Sequence, residues 1–119
     1  MDFQKRQDDA TFEVTAVNIA ETSTTIMAEG DMGRYGKVYL TFVLESAGDN
    51  TSGFVHGSGR GFLAEETMLS GSCRGVWRRE GNKIVLHNTV NVNNGDQNLD
   101  VWTIDAINKT AQASVYALN

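Results

Sequence analysis

Few side chains in this sequence have types and spacings that could perform catalysis or bind a metal. The single cysteine, Cys73, has no sequence neighbour that could act as its base, so we predict a small buried packing residue rather than a nucleophile. The two histidines, His56 and His87, lie on different predicted strands. A metal would need further imidazole or acidic ligands that the sequence does not place beside them, so we predict no metal site and no cofactor.

Asp100 is one candidate for a group that transfers protons. Asp100 alternates with Trp102 and Ile104, so all three share one face of a predicted strand. If that face points inward, burial would raise the pKa of Asp100 and suit it to act as an acid or base near neutral pH. Asp105 and Tyr39 are further candidates for this role if they also face a cavity.

Two glycine-rich segments, 57–61 and 71–75, predict an unusual hairpin with its turn at 65–67. The predicted pairs are Gly61 with Gly71, Gly59 with Cys73, and Gly57 with Gly75. All of these positions share one face, because side chains in a strand alternate with a period of two. Glycine within a strand costs about 0.5–1 kcal/mol relative to alanine, so such a patch needs a reason. Either the strands coil sharply or pack closely here, or the missing side chains leave an open interior.

The open interior would be a ligand cavity that residues from several strands surround. Trp77 and Trp102 would then act either as wall and core residues or as surfaces on which a ligand stacks. The predicted cavity residues are Phe42, Gly59, Cys73, Trp77, Asn88 and Trp102.

The direction of the glycine face also decides where the arginines point. Arg60, Arg74 and Arg78 alternate onto the opposite face, so they form an outer stripe if the glycines face inward. Such a stripe is a solvated face, an anion site or a subunit interface. The reverse arrangement would place three arginines inside, where they need partners that the pattern does not offer.

These residues belong to segments that alternate with a period of two and show no helical periodicity. Turn residues separate the segments, with "AGDNTSG" at 47–53 as one turn and Asn94-Gly95 as a type I′ hairpin turn. The predicted strands are Thr11–Ile19, Thr24–Met32, Lys37–Glu45, 53–63, 69–79, Lys83–Val92, Asn98–Ala106 and Ala111–Leu118.

This layout predicts an all-β fold, a single eight-stranded antiparallel meander β-barrel over residues 10–119. A two-layer sandwich is the alternative, but the short connections favour the meander. Residues 1–9 are expected to be disordered or to form a short helix. An eight-stranded barrel is either filled by its own side chains or holds one small ligand.

Composition restricts the partners and the compartment. The chain has 119 residues, of which 40% are hydrophobic and 21% charged, as is typical of one globular domain. The formal net charge of −5 argues against nucleic acid and anionic membranes as partners. No disulfide can form within the chain, and no stretch approaches the ~20 apolar residues needed to cross a bilayer, so we expect a cytoplasmic protein.

Three features accompany the strand order: "ATFEVTAV" at 10–17, "YGKVYLTFVLES" at 35–46 and the glycine-spaced "GSGRG" at 57–61. Together they resemble the allene oxide cyclase-like barrels, which include plant allene oxide cyclases, dirigent proteins and small bacterial families. The resemblance covers nearly the whole chain. It implies an apolar cavity that holds a lipid-derived substrate in a productive shape, and assembly as a dimer or trimer. No position matches a catalytic residue of that family, and the chain is shorter than the plant enzymes.

The sequence therefore leaves three functions open, in decreasing order of preference. The first is a barrel that binds a small apolar or amphipathic molecule in its interior. The second is a cyclase- or isomerase-like enzyme that uses the same cavity. The third is an interaction module that assembles as a homodimer or homotrimer through its outer face.

Overall fold

Eight antiparallel strands close into a barrel in the order in which they occur in the chain. The computed structural model describes residues 2–46, 50–64 and 66–119, so residues 47–49 of one predicted turn and Glu65 of another lie outside the described residues. The fold confirms the predicted eight-stranded antiparallel meander barrel. The strands are β1 Ala10–Ile19, β2 Ser23–Asp31, β3 Lys37–Glu45, β4 Ser52–Phe62, β5 Met68–Glu80, β6 Lys83–Val92, β7 Gln97–Asp105 and β8 Thr110–Ala117.

The alternation of apolar and polar residues fixes which side of each strand faces the lumen. On β3, Val38, Leu40, Phe42 and Leu44 are all buried, while the intervening Tyr39 is 49% exposed. The period of two therefore becomes a buried inner face and a solvated outer face. None of the described residues belongs to a helix long and apolar enough to cross a membrane.

The two halves of the lumen differ in their contents. In one half, the ring of Trp102 packs edge-on against Phe12 and Phe42, with centroid distances of 4.9 and 5.2 Å. Leu44 and Leu86 belong to the same buried cluster as these rings and are almost fully buried. We call this the packed half. At the opposite end, the short helical turn Gly33–Tyr35 between β2 and β3 lies over the lumen, and we call that end the capped end.

The β4–β5 hairpin turns its glycine face inward and its arginines outward. Its observed register pairs Gly59 with Gly71 and Gly57 with Cys73, so the predicted pairing was wrong by two residues. The reason is that the turn between Phe62 and Met68 is centred one residue earlier than predicted. A shift of two residues leaves every side chain on its predicted face, because the period of a strand is two. The three arginines of the stripe are accordingly exposed on the outer wall.

Close approach of neighbouring backbone explains most of the inward glycines. A Cβ atom at Gly75 would overlap the carbonyl oxygen of His87, and one at Gly61 would overlap that of Tyr35. Gly71 is different, because the nearest atoms to a Cβ there would be 3.8 Å away, an ordinary contact distance. Of the two predicted explanations, close packing accounts for the first two positions, and space in the lumen accounts for Gly71.

The turn between β6 and β7 is not the predicted type I′ turn, which requires positive φ at both central residues. Gly95 has a φ of 99°, whereas Asn94 does not have a positive φ. The backbone N–H of Gly95 donates to the Val92 carbonyl oxygen at 3.0 Å, which forms a type I turn followed by a left-handed glycine. The Asn94 side chain favours this geometry, since its Oδ1 accepts a hydrogen bond from the backbone N–H of Asp96 at 3.0 Å.

The seam between β1 and β8 is the shortest in the barrel, with four paired residues from Ala10 to Glu13. The preceding segment lengthens it, because the Arg6 N–H donates to the Val115 carbonyl and the Ala117 N–H donates to the Gln4 carbonyl, each at 2.9 Å. No helix forms between residues 2 and 9. Beyond a register shift after Val14, β1 pairs only with β2 among the described residues.

We expect the two kinds of inward glycine to respond oppositely to alanine. Gly75→Ala should lower the free energy of unfolding by about 1–3 kcal/mol, because the new methyl group overlaps backbone that cannot move away. Gly71→Ala should change it by less than about 1 kcal/mol, since the methyl group has room. Urea unfolding of both variants checks this. Equal losses would contradict the distinction.

Candidate functional site

A cavity of about 80 Å³ occupies the lumen between the packed half and the capped end. Its walls come from the inner faces of β3 to β7, where Gly59, Gly61 and Gly71 contribute no side chains. Apolar side chains surround most of it, and Met32 and Tyr35 close it at the capped end. The side chains that line it include Met32, Tyr35, Val38, Leu40, Phe42, Leu69, Cys73, Asn88, Val90, Val92, Asn98, Asp100 and Trp102.

Two polar side chains face each other across neighbouring strands in this cavity. Asn88 on β6 pairs directly with Asp100 on β7, and they are 0% and 5% exposed. Among the described residues, Asn88 Nδ2, Asn88 Oδ1 and Asp100 Oδ1 have no hydrogen-bonding partner. A buried polar atom without a hydrogen-bonding partner lowers the free energy of unfolding by about 1–3 kcal/mol, so this pair destabilises the fold.

The environment of Asp100 favours its neutral form. Burial raises the pKa of Asp100 to about 7, and the nearby Trp102 side chain opposes this only partly. Asp100 therefore changes its protonation state near neutral pH, as expected for an inward carboxyl group on this strand.

Cys73 lines the same cavity but is not an activated thiol. Burial, followed by the charge of Asp100, raises the pKa of Cys73 to about 12. A nucleophilic cysteine needs the opposite shift, because the thiolate is the reactive form. The geometry thus agrees with a packing role for Cys73.

A hydrogen-bonded network fastens the capped end. The Tyr35 hydroxyl donates to Asp96 Oδ2 and accepts from Asn98 Nδ2, both at 2.8 Å. Arg6 Nε then donates to Asn98 Oδ1 at 2.6 Å, and Arg34 pairs with Asp96 at 3.3 Å. Burial acts to raise the pKa of Asp96, but the Tyr35 hydrogen bond and the Arg6 charge outweigh it and leave that pKa below its usual value. The network joins the N-terminal segment, the helical turn and the β6–β7 turn.

The structure brings five of the six predicted cavity residues together on this cavity. These are Phe42, Gly59, Cys73, Asn88 and Trp102. Trp77 does not line it, because Trp77 lies in the packed half, where its Nε1 donates to the Glu45 carbonyl oxygen at 2.8 Å. Since inward positions repeat every second residue along β5, alternation alone could not tell which end of the lumen Trp77 would occupy.

Two of the candidates for proton transfer do not face the cavity. Tyr39 lies on the outer wall, where its ring packs against Phe62 with a centroid distance of 6.0 Å. Asp105 pairs with Lys83 at 2.7 Å and also accepts hydrogen bonds from the turn that follows it. The lysine and those turn hydrogen bonds hold the pKa of Asp105 far below its usual value, so Asp105 is ionised and not a proton donor near neutral pH.

Asn98 and Tyr35 also line the cavity, although neither was among the cavity residues predicted from the sequence. Asn98 shares the alternation of Asp100 and Trp102, so three inward positions in a row on β7 identify it in hindsight. Tyr35 lies in a short turn with no periodic pattern, and only the folded chain places it over the lumen. Among the residues that the structure describes, no group of three or more His, Cys, Asp or Glu side chains could hold a metal ion.

Neither a family model, nor a curated protein, nor a solved structure matches this chain.

We expect Asp100→Asn to remove one pH dependence of stability. The pKa of Asp100 is about 7 in the folded protein and near 3.8 when unfolded, so between these values the folded state holds a proton that the unfolded state has lost. Stability of the unsubstituted protein therefore falls as pH rises through this window, by at most about 1.4 kcal/mol per unit. Urea unfolding of both proteins from about pH 4 to 8 should show a growing advantage for the variant. Parallel profiles would count against a desolvated Asp100.

We expect Tyr35→Phe to weaken the capped end. The substitution removes two hydrogen bonds and leaves the buried Asn98 amide short of an acceptor, which should cost about 1–3 kcal/mol in the free energy of unfolding. Tyr39→Phe is the matched control, because Tyr39 is exposed and its change should stay within about 0.5 kcal/mol. A loss of equal size in the two variants would show that the network contributes nothing to stability.

Proposed function

We propose that the protein binds one small apolar or amphipathic molecule in its lumen. The observation that carries this proposal is the cavity of about 80 Å³ beside Gly71, where a side chain would fit but none is present. Eight-stranded barrels of this size either fill their interior or hold one small ligand. Side chains fill the packed half of this lumen, and the cavity near the capped end leaves room for a small molecule.

The volume of the cavity limits the ligand to a few heavy atoms. A cavity of about 150 Å³ accepts benzene, and ordinary ligand pockets measure about 300–1,000 Å³. The lumen offers about 80 Å³, so it suits a short aliphatic group rather than the lipid-derived substrate that the family resemblance implies. The apolar lining would contact that group, and the Asn88–Asp100 pair would contact any polar atoms.

A proton-transferring enzyme such as an isomerase is the second candidate. The observation that favours it is the buried position of Asp100 on the cavity wall. Burial raises the pKa of this carboxyl group to about 7, which suits a group that accepts and returns a proton at neutral pH. In such a reaction the Asp100 carboxylate would take a proton from one carbon of the ligand and return it to another.

Assembly as a homodimer or homotrimer stays a prediction from the sequence.

Xenon tests the cavity without assuming any polar chemistry. Nuclear magnetic resonance titration with dissolved xenon should give saturable shifts at the amides of Gly71, Asn88 and Val90, because xenon enters apolar cavities. Gly71→Val should abolish the shifts by filling the space. Ser72→Val is the matched control, since Ser72 is exposed on the outer face of the same strand and its substitution should leave the shifts unchanged.

Two results would overturn the proposal. One is the absence of saturable shifts in the unsubstituted protein. The other is a titration of the Gly71 variant that is indistinguishable from that of the Ser72 variant.

A further inference from the structure

The buried polar atoms without hydrogen-bonding partners in the lumen indicate which polar group a ligand needs. Asn88 Oδ1 and Asp100 Oδ1 are acceptors, and Asn88 Nδ2 is a donor. The two residues are directly opposed on neighbouring strands, which keeps their side chains within about 4.5–5.5 Å at Cβ. A single ligand group that supplies two donors and one acceptor would therefore satisfy all three atoms.

We propose, building on the lumen-binding function above, that the ligand is a primary carboxamide on a short aliphatic chain. One N–H of its amide group donates to Asn88 Oδ1, and the Asn88 Nδ2 donates back to the ligand carbonyl oxygen. The second N–H donates to Asp100 Oδ1. The aliphatic chain then lies against the apolar walls of the cavity.

Other polar groups of similar size leave at least one of the three atoms without a partner. An alcohol or a neutral carboxylic acid has one donor where two are needed. A primary amine has two donors and one acceptor only when it is neutral, and the ammonium form that prevails at neutral pH has no acceptor for Asn88 Nδ2. An ester or a ketone has no donor, so both buried acceptors stay unpaired.

The assignment of the Asn88 amide does not change this match, and the match requires that Asp100 Oδ1 accepts a hydrogen bond. Exchanging the oxygen and nitrogen of Asn88 leaves the same set of one donor and one acceptor. Asp100 Oδ1 accepts a hydrogen bond as a carboxylate oxygen, and also in the neutral acid when the proton is on Oδ2. No charged group of the chain competes with the ligand for these three atoms. The residues that line the cavity on β3 to β7 include no basic side chain that points inward.

The size of the cavity is consistent with an amide plus a short chain. A water molecule occupies about 30 Å³ in the liquid, so one water bridging the three atoms would leave much of the cavity unfilled. The remaining space borders apolar side chains such as Val90, Leu40 and Phe42. An aliphatic chain that is joined to the amide fills it, whereas further water would find few partners there.

The test compares two probes with the same number of heavy atoms, propionamide and methyl acetate. Both are titrated into the full chain while amide resonances are followed, with xenon as a probe of the cavity itself. We expect propionamide to bind with a dissociation constant on the order of millimolar and at least about tenfold more tightly than methyl acetate. Competition with xenon should show that propionamide occupies the same space.

Asn88→Leu removes two of the three polar atoms, and it makes the side chain apolar while keeping its size similar. Because Asn88 has no partner within the described chain, this variant should fold at least as stably as the original. It should retain xenon binding and lose the preference for propionamide. Asn91→Leu, on the exposed outer face of the same strand, is the matched control and should keep the preference.

The possible failures are distinguishable. Xenon binding without a preference for propionamide would overturn the carboxamide assignment and leave the lumen-binding function in place. A preference that persists in the Asn88 variant would also overturn it, as would a high-resolution structure in which a bridging water stays in place at saturating propionamide. If neither xenon nor propionamide binds, both proposals fail.

Discussion

The fold depends on how closely the backbones of β3 to β6 approach one another on the inner side of the barrel. At Gly57 and Gly75, the carbonyl oxygens of Thr41 on β3 and His87 on β6 occupy the space that a Cβ atom would need. The sheet can therefore coil tightly enough to close only because these positions carry glycine. The same patch of glycines removes bulk from one side of the lumen. Closure of the barrel and the presence of a cavity thus have a common origin in β4 and β5.

The Asn88–Asp100 pair is the second unusual feature, because it adds nothing to stability. Two neighbouring inward positions hold side chains that the described residues leave partly without hydrogen bonds. Buried polar groups are normally satisfied, and the exceptions in native proteins tend to coincide with functional sites. The nearby Asn98 provides a contrast, since Arg6 and Tyr35 complete its hydrogen bonds and it serves the capped end. In the proposed function, this difference between two asparagines of the same lumen separates the structural role of Asn98 from the binding role of Asn88.

Alternation of side chains was sufficient to predict the barrel, its strand order and the inner or outer face of most residues. It survived even the error in the β4–β5 register, because a slip of two residues keeps each side chain on its face. Alternation could not predict the position of a side chain along the barrel axis. Trp77 and Cys73 share a face of β5 but lie at different depths in the lumen. It also gave no indication of Tyr35, whose position follows from a turn between two glycines of positive φ, Gly33 and Gly36. Contacts between residues far apart in the chain, such as Tyr35 with Asn98, have no local pattern in the sequence.

The short seam between β1 and β8 has a consequence for the order of folding. Every other seam joins strands that are consecutive in the chain, so a hairpin can form each of them early. The last seam must bring the two ends of the chain together, and it does so with four paired residues plus the bonds of the segment before β1. Closing this seam costs more loop entropy than closing any other seam. Its four pairs also form fewer backbone contacts than the pairs of any other seam. Ring closure at this seam therefore turns an open, curled meander into a cylinder, and it is the pairing that brings together the strands farthest apart in the chain.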